Sequence, residues 1–390
     1  SVVGVRKLLS GNTLVLLVLL IIYMFLPIFQ FLELRSIDTR FQVRNALGMN
    51  PTYSDALVHV NIDDYSKQAS GKFIWPKSWY ADLIGRISMG NAKVIAFDVM
   101  FVSETGNDVL IDALITAANV VSPLVLDFSR DALSFPAPTG LGLQFNPPVK
   151  RGLISPAFNV LVAPVLEIAE QSELGFVNVD PDRDSVVRRV RLVADLHGTL
   201  VPSFFLQAVA DYLDYDIENI APVDGSSLVL KDFPVGVNGT LRDVEVPLDG
   251  NGNLVVNLAG RLNTENYPQS YTAWDLLQAD GQPDFSDKLV FLADTSVDRT
   301  SGGDFSTVPL ESVFPRSYVL SNAASSLLNG EFIQPVGNVF STAFTLAATV
   351  LFSIVLIVVC WKTSTLILSL TALGVIVLYL AGVLYFFLFG

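Results

Sequence analysis

Five aspartates stand where strands would end. Asp63 and Asp64 follow an apolar run at residues 56–62, Asp98 follows one at 92–97, Asp294 follows one at 288–293, and Asp304 comes shortly after. In parallel sheets the carboxyl ends of the strands form the ligand-binding edge. Aspartates brought together there would raise one another's pKa or bind a cation. The other reading is that they cap the helices and turns that follow. A second acidic group, Asp180, Asp182 and Asp184, has the alternate spacing of a calcium loop. Ser185 then stands where that loop needs Gly, and Arg191 where it needs a bidentate Glu. A polar hairpin turn, with Arg188, Arg189 and Arg191 pairing to these acids, is the better reading.

No residue pattern argues for catalysis, and no catalytic residue is expected. The chain has no phosphate-binding loop, dinucleotide fingerprint, nucleophile elbow, zincin or kinase signature. Ser301 and Ser306 have no neighbouring histidine to act as a base. Cys360 is the single cysteine, and His59 and His197 are isolated, which rules out a Cys/His metal site. His59 lies in an apolar strand and His197 precedes a Gly turn, so both read as structural. No metal or cofactor is expected.

The elements that would position the aspartates follow from periodicity. Residues 56–62 read as a strand. Residues 76–89 read as a helix with Trp79, Leu83 and Ile87 on one face. Strand 92–97, helix 108–118 and strand 120–126 follow, so strand–helix–strand–helix–strand implies right-handed crossovers and a parallel sheet. Asp127, Phe128 and Ser129 then open a long excursion marked by Pro136, Pro138, Pro147 and Pro148. Strands at 175–179, 186–194, 253–258 and 288–293 and helices at 202–213 and 316–328 complete the pattern. The expected fold class is α/β: a mixed, partly parallel sheet with flanking helices, joined to transmembrane helices.

Charge divides the chain sharply. Residues 8–32, 332–361 and 363–390 carry no charge, and each stretch exceeds the roughly 20 apolar residues that span a bilayer. All 38 acids lie between Glu33 and Glu331. With Arg6, Lys7 and Lys362 set aside from the 24 bases, that region keeps 21 bases, a net charge of −17. Disorder is excluded by a 51% hydrophobic content, and nucleic-acid binding by the acidity. The expected organisation is a cytoplasmic segment 1–11, a first span 12–32, an extracytoplasmic domain 33–331, a second span 335–360, a cytoplasmic turn 361–364 and a third span 365–389. The three outlying bases set that orientation by the positive-inside rule. An uncleaved anchor suits the first span better than a signal peptide, whose apolar core is shorter. The start at Ser1 and the apolar end at Gly390 read as cuts, with a further span expected beyond.

The motifs in their order resemble a known family, the CHASE2 domains, which are extracytoplasmic sensory modules of bacterial membrane receptors. The resemblance runs through Asp38, Arg40, Phe41 and Arg44, the stretch Val60 to Asp64, the pair Trp75–Pro76, and residues 92–101. It continues through residues 174–178, Asp182 to Arg189 with Arg188, residues 288–292, Asp304, Pro309, Phe314–Pro315, Asn322 and Leu327–Leu328. Asp63, Asp64, Asp98 and Asp304 match the family pattern. Ala293, Arg316, Tyr318, Leu320 and Ser185 depart from it, so the ligand would differ or the site be degenerate. The resemblance implies a multi-pass protein of the bacterial inner membrane, signalling as a homodimer or larger complex. It would perceive a small-molecule or protein ligand and relay the signal to a cyclase or kinase in the cytoplasm. The alternative is a structural or accessory subunit that uses the same domain as a docking surface.

Overall fold

The structure, a computed structural model, describes residues 27–334 apart from 104, 118, 129–153, 223–226, 236–238 and 298–303. The three expected spans therefore lie outside the described residues, save for 27–32 of the first. Among the described residues no helix is long and apolar enough to cross a membrane. The proline-marked excursion is also outside them.

The chain begins with α1 (Pro27–Ala46), then β1 (Leu57–Ile62), α2 (Asp64–Ser70), α3 (Lys77–Met89), β2 (Val94–Asp98), α4 (Asp108–Ala117) and β3 (Val120–Asp127). β4 (Ser155–Ala157), β5 (Asn159–Val162), α5 (Leu166–Ala169), β6 (Glu173–Phe176), β7 (Arg189–Arg191), β8 (Val193–Leu196), β9 (Thr199–Pro202) and α6 (Phe204–Leu213) follow. The last part holds β10 (Ile220–Pro222), β11 (Ser227–Val235), β12 (Thr240–Pro247), β13 (Asn253–Val255), β14 (Ser270–Thr272), α7 (Ala273–Gln278), β15 (Leu289–Asp294), β16 (Phe305–Val308), β17 (Glu311–Pro315) and α8 (Arg316–Asn329).

The central sheet runs β14-β1-β15-β2-β3, with β6 parallel to one part of β3 and β5 antiparallel to another. The expected α/β class with a mixed, partly parallel sheet is therefore present. The crossovers β1 to β2, β2 to β3 and β14 to β15 all step the same way across the sheet. Right-handed crossovers that step one way leave their helices on one face. Accordingly Leu83 and Ile87 of α3, Leu110 and Leu114 of α4 and Leu276 of α7 share a core with Val58, Val60, Ile95, Val290 and Leu292. The opposite face carries Leu57, Val94, Ala96, Leu289 and Phe291, which pack with Phe204 and Phe205 of α6 and Val319 and Ala323 of α8. Alternation along each strand assigns the faces.

Three expectations are corrected in detail. The strand expected at 253–258 ends at Val255, where its pairing with β7 stops. The strand expected at 186–194 is two strands, because β7 pairs with β13 while β8 pairs with β4 and β9. Buried Leu192 lies between them, and its carbonyl accepts from Ser203 N. The strand expected at 175–179 ends at Phe176. Beyond it, Asn178 pairs through its side-chain amide with both N and O of Leu126, standing in for one more rung of the ladder.

The acidic turn folds as the sequence reading required. Asp182 N donates to Val186 O and Ser185 N to Asp182 O, with Ser185 at φ 65°. Arg188 pairs with Asp182 and Asp184, Arg189 with Asp182 and Asp249, and Arg191 with Asp180. Arg188 also makes a two-pronged bond to Asp38 of α1, at 2.8 Å on each prong. Asp38, Phe41 and Arg44 are all buried and three residues apart, so one stripe of α1 faces the domain.

Candidate functional site

The carboxyl ends of β1, β15 and β2 lie side by side. Their register places Ile62 opposite Asp294, and Ala293 opposite Asp98. Asp294 and Asp98 are thus offset by one residue. A one-residue offset turns side chains to opposite faces, so the sheet itself separates two of the five aspartates.

On the helical face, Lys67 of α2 is buried and its Nζ lies 2.7 Å from Asp294 Oδ2. Asp294 Oδ1 accepts from Ser296 N and Oγ. Asp63 caps α2: its Oδ1 accepts from Ser66 N at 2.8 Å and Ser66 Oγ at 2.7 Å. Its other oxygen accepts from Thr272 Oγ1 at 3.3 Å. Asp64 Oδ1 accepts from Val297 N at 2.8 Å. These three carboxylates tie α2 to the ends of β14 and β15.

On the opposite face, Asp98 meets the start of α8. Arg316 Nη1 lies 2.8 Å from Asp304 Oδ1, and Arg316 Nε donates to Ser306 Oγ at 3.1 Å. Among the described residues the Asp98 carboxylate makes no side-chain hydrogen bond, while its backbone belongs to β2. Burial, reinforced by the Asp304 charge and opposed by Arg316, pushes its carboxyl up to about 7. Two strands away, on the far side of Ala293, Asn61 Nδ2 donates to the Tyr318 hydroxyl at 2.9 Å, which lies 3.1 Å from Ser270 Oγ. The Tyr318 ring stacks on His59 at 3.8 Å. His59 is in turn bonded through Nε2 to the Tyr53 hydroxyl at 2.6 Å. Burial pushes the His59 ring down to about 3, so it stays neutral near physiological pH.

Of the five predicted residues, the structure brings Asp98 and Asp304 into one electrostatic group and uses Asp63, Asp64 and Asp294 to tie α2 to the ends of β14 and β15. Sequence reasoning missed Lys67 and Asn61 and met Arg316 and Tyr318 only as departures from a pattern. Lys67 carried one signal, a cation four residues after Asp63. The doubly wound crevice expected at a sheet's carboxyl edge arises where the winding reverses, and none of the three crossovers here reverses. Among the described residues no group of three or more His, Cys, Asp or Glu side chains is arranged to hold a metal ion.

The other motif residues have structural places. Trp75 is buried, donates from Nε1 to Ser70 Oγ at 3.2 Å and meets Trp79 edge-on. Pro76 sits at the cap position of α3. Arg40 Nε donates to Ser36 O within α1. Asn322, fully buried, accepts from Ala259 N at 2.8 Å and donates to Tyr318 O at 2.6 Å.

The raised carboxyl has a consequence for stability. An acid whose folded pKa exceeds its unfolded one holds its proton longer in the native state. Stability then falls as pH rises from the ordinary Asp range to about 7 and is flat above. At about pH 8, Asp98→Asn is expected to stabilise the protein by about 1–2 kcal/mol after allowance for solvent screening. Urea unfolding at several pH values checks this, and the gain should vanish below about pH 4. An Asn variant less stable than wild type at about pH 8 would reject the assignment of Asp98 as a costly charge.

The CHASE2 domain family model matches residues 14–360. No curated protein matches the chain, and no solved structure matches it.

Proposed function

Because the chain belongs to the CHASE2 domain family, whose members are sensory domains of the extracytoplasmic type, we propose that it perceives a signal outside the bacterial inner membrane and relays it inward. The output would be a nucleotide cyclase or protein kinase, and the working unit a homodimer or larger membrane complex. The charge-free stretches at 8–32, 332–361 and 363–390 support the membrane setting. The observation that carries the relay is α8. It starts beside Asp98 at the carboxyl edge, with Arg316 and Tyr318. It ends at Asn329, whose side chain donates to Thr52 O just before β1 at the opposite edge. The chain then leaves toward the second apolar stretch.

The candidate ligand edge is the group Asp98, Asp304, Arg316, Asn61 and Tyr318. A ligand that displaced Asp304 from Arg316 would act directly on the first turn of α8. Asp63, Asp64 and Asp294 would hold the adjoining loops.

An impermeant thiol reagent tests the placement. In intact cells carrying the full chain with Cys360→Ser and His197→Cys, the exposed position 197 is expected to react. Protection until the cells are opened would put the domain on the cytoplasmic side and end the receptor reading.

The second reading, an accessory subunit, draws support from the loop before α3. Phe73 and Ile74, next to buried Trp75 in the sequence, are 60% and 81% exposed, and paired exposed apolar residues suit docking. Native mass measurement separates the two, since stable association with unrelated chains favours this one.

A further inference from the structure

The incoming helix α1 and the outgoing helix α8 are bonded to the same short piece of chain. Residues 256–259 follow β13, and Val256, Leu258 and Ala259 are buried at 2%, 2% and 5% exposure. On one side Arg44 of α1 donates from Nη1 to Asn257 Oδ1 at 2.8 Å and from Nη2 to Leu258 O at 3.1 Å. On the other side Ala259 N donates to Asn322 Oδ1 of α8 at 2.8 Å. Val256 N donates to Arg188 O, and Arg188 holds Asp38 of α1. Asn257 and Ala259 also share a shallow groove with Ser325, Ser326 and Asn329 of the last turns of α8.

We propose that residues 256–259 are a mechanical joint that makes α1 and α8 move as one, with Arg44 as the pin on the incoming side and Asn322 on the outgoing side. The inference rests on the relay reading and adds the route by which a displacement of α8 reaches the first apolar stretch. The physical ground is directional. Asn322 uses its amide oxygen on Ala259 and its amide nitrogen on Tyr318 O, one turn back toward the carboxyl edge. A shift of the first turn of α8 therefore pulls on the strap. Arg44 grips the strap at two successive residues, which resists rotation as well as translation. Arg44 is buried, so withdrawing its guanidinium from those oxygens without replacement is unfavourable.

Pulsed spin-label distance measurement on the full chain in lipid nanodiscs tests this. Labels go on Ala46→Cys and Gln334→Cys in a Cys360→Ser background, with Asp112→Cys and Glu245→Cys as the pair within the domain. The expected result is one narrow distance for 46–334 that loses its single peak in Arg44→Gln and in Asn257→Ala, while the 112–245 distance stays narrow. An unchanged 46–334 distance in both variants overturns the joint. If Arg44→Gln disturbs the 112–245 pair as well, the half-buried Asn257→Ala decides alone, and a disturbed control there also overturns it. This outcome is independent of the thiol labelling above. Protection of position 197 would end the relay reading with the joint intact, and an uncoupled 46–334 pair in the wild type would end the joint with the relay reading intact.

Discussion

Replacing Arg188 with methionine is expected to cost about 3–5 kcal/mol of stability, because it leaves buried carboxylates without their cation. The guanidinium is 1% exposed and holds Asp38, Asp182 and Asp184 at 2.8 to 2.9 Å. Arg189 relieves only Asp182 and Asp249. Three things would fail together: the acidic turn, the strand β7 that follows it, and the anchorage of α1. Asp38→Asn should cost less, since Arg188 keeps two carboxylates and the amide oxygen can still accept. Urea unfolding of the full chain in detergent, followed by tryptophan fluorescence, measures both. The pH dependence supplies a second signature. Bonding to Arg188 holds the Asp184 carboxyl below its ordinary range. That stabilisation is present above the unfolded carboxylate pKa and is lost as pH falls through the lower folded one. In Arg188→Met the sign reverses, because crowded carboxylates gain protons more readily when folded than unfolded. Acidification from neutral pH should therefore stabilise the variant relative to wild type. A loss under about 1 kcal/mol would show that removing the desolvation penalty had offset the lost bonds.

Gly175→Ala is expected to cost about 3 kcal/mol through overpacking. Gly175 sits in β6, where the start of α6 crosses it. A Cβ there would lie 2.4 Å from Phe204 Cα and 2.7 Å from Phe204 N. Both are backbone atoms, so no side chain can swing aside. The φ of Gly175 is not positive, so the requirement is space rather than conformation. Relief would need α6 to lift from the sheet, and Phe204 and Phe205 would leave the core that α6 shares with α8. A thermal scan should show a lowered midpoint. Gly85→Ala, at a helical position with open space around it, serves as the control and should leave the midpoint within its error or raise it. Equal midpoints for Gly175→Ala and wild type would mean that the sheet and α6 are less tightly apposed than the structure has them.

The parts legible in sequence are those whose signal is local. β1, β2 and β15 are short, mostly apolar runs of Val, Ile, Leu, Phe and Ala buried on both faces, and α3 shows its buried stripe at helical spacing. The pairing of Arg188, Arg189 and Arg191 with the acidic turn was legible because those residues are near neighbours. α2 was not, since its residues Asp64 to Ser70 carry no apolar face and its burial comes from Lys67 reaching Asp294. The long hairpin of β11 and β12 was hidden by an irregularity at Asp232, which has φ 51° and shifts the register between Leu230 and Phe233.

Sequence alone determined the α/β class, the strand-end placement of Asp63, Asp98 and Asp294 (Asp304 instead stands at the start of β16), the acidic domain between charge-free stretches and the motif order of its family. Each follows from composition or short-range period. Only the tertiary structure decided which aspartates meet. β15, more than 190 residues after β2 in the sequence, inserts between β1 and β2, and its register offsets Asp294 from Asp98 by one residue. That offset sends one carboxylate to Lys67 and the other to Asp304 and Arg316. The bond between Asp38 and Arg188, 150 residues apart, has the same origin: long-range register and packing are set by the whole core, and no local pattern encodes them.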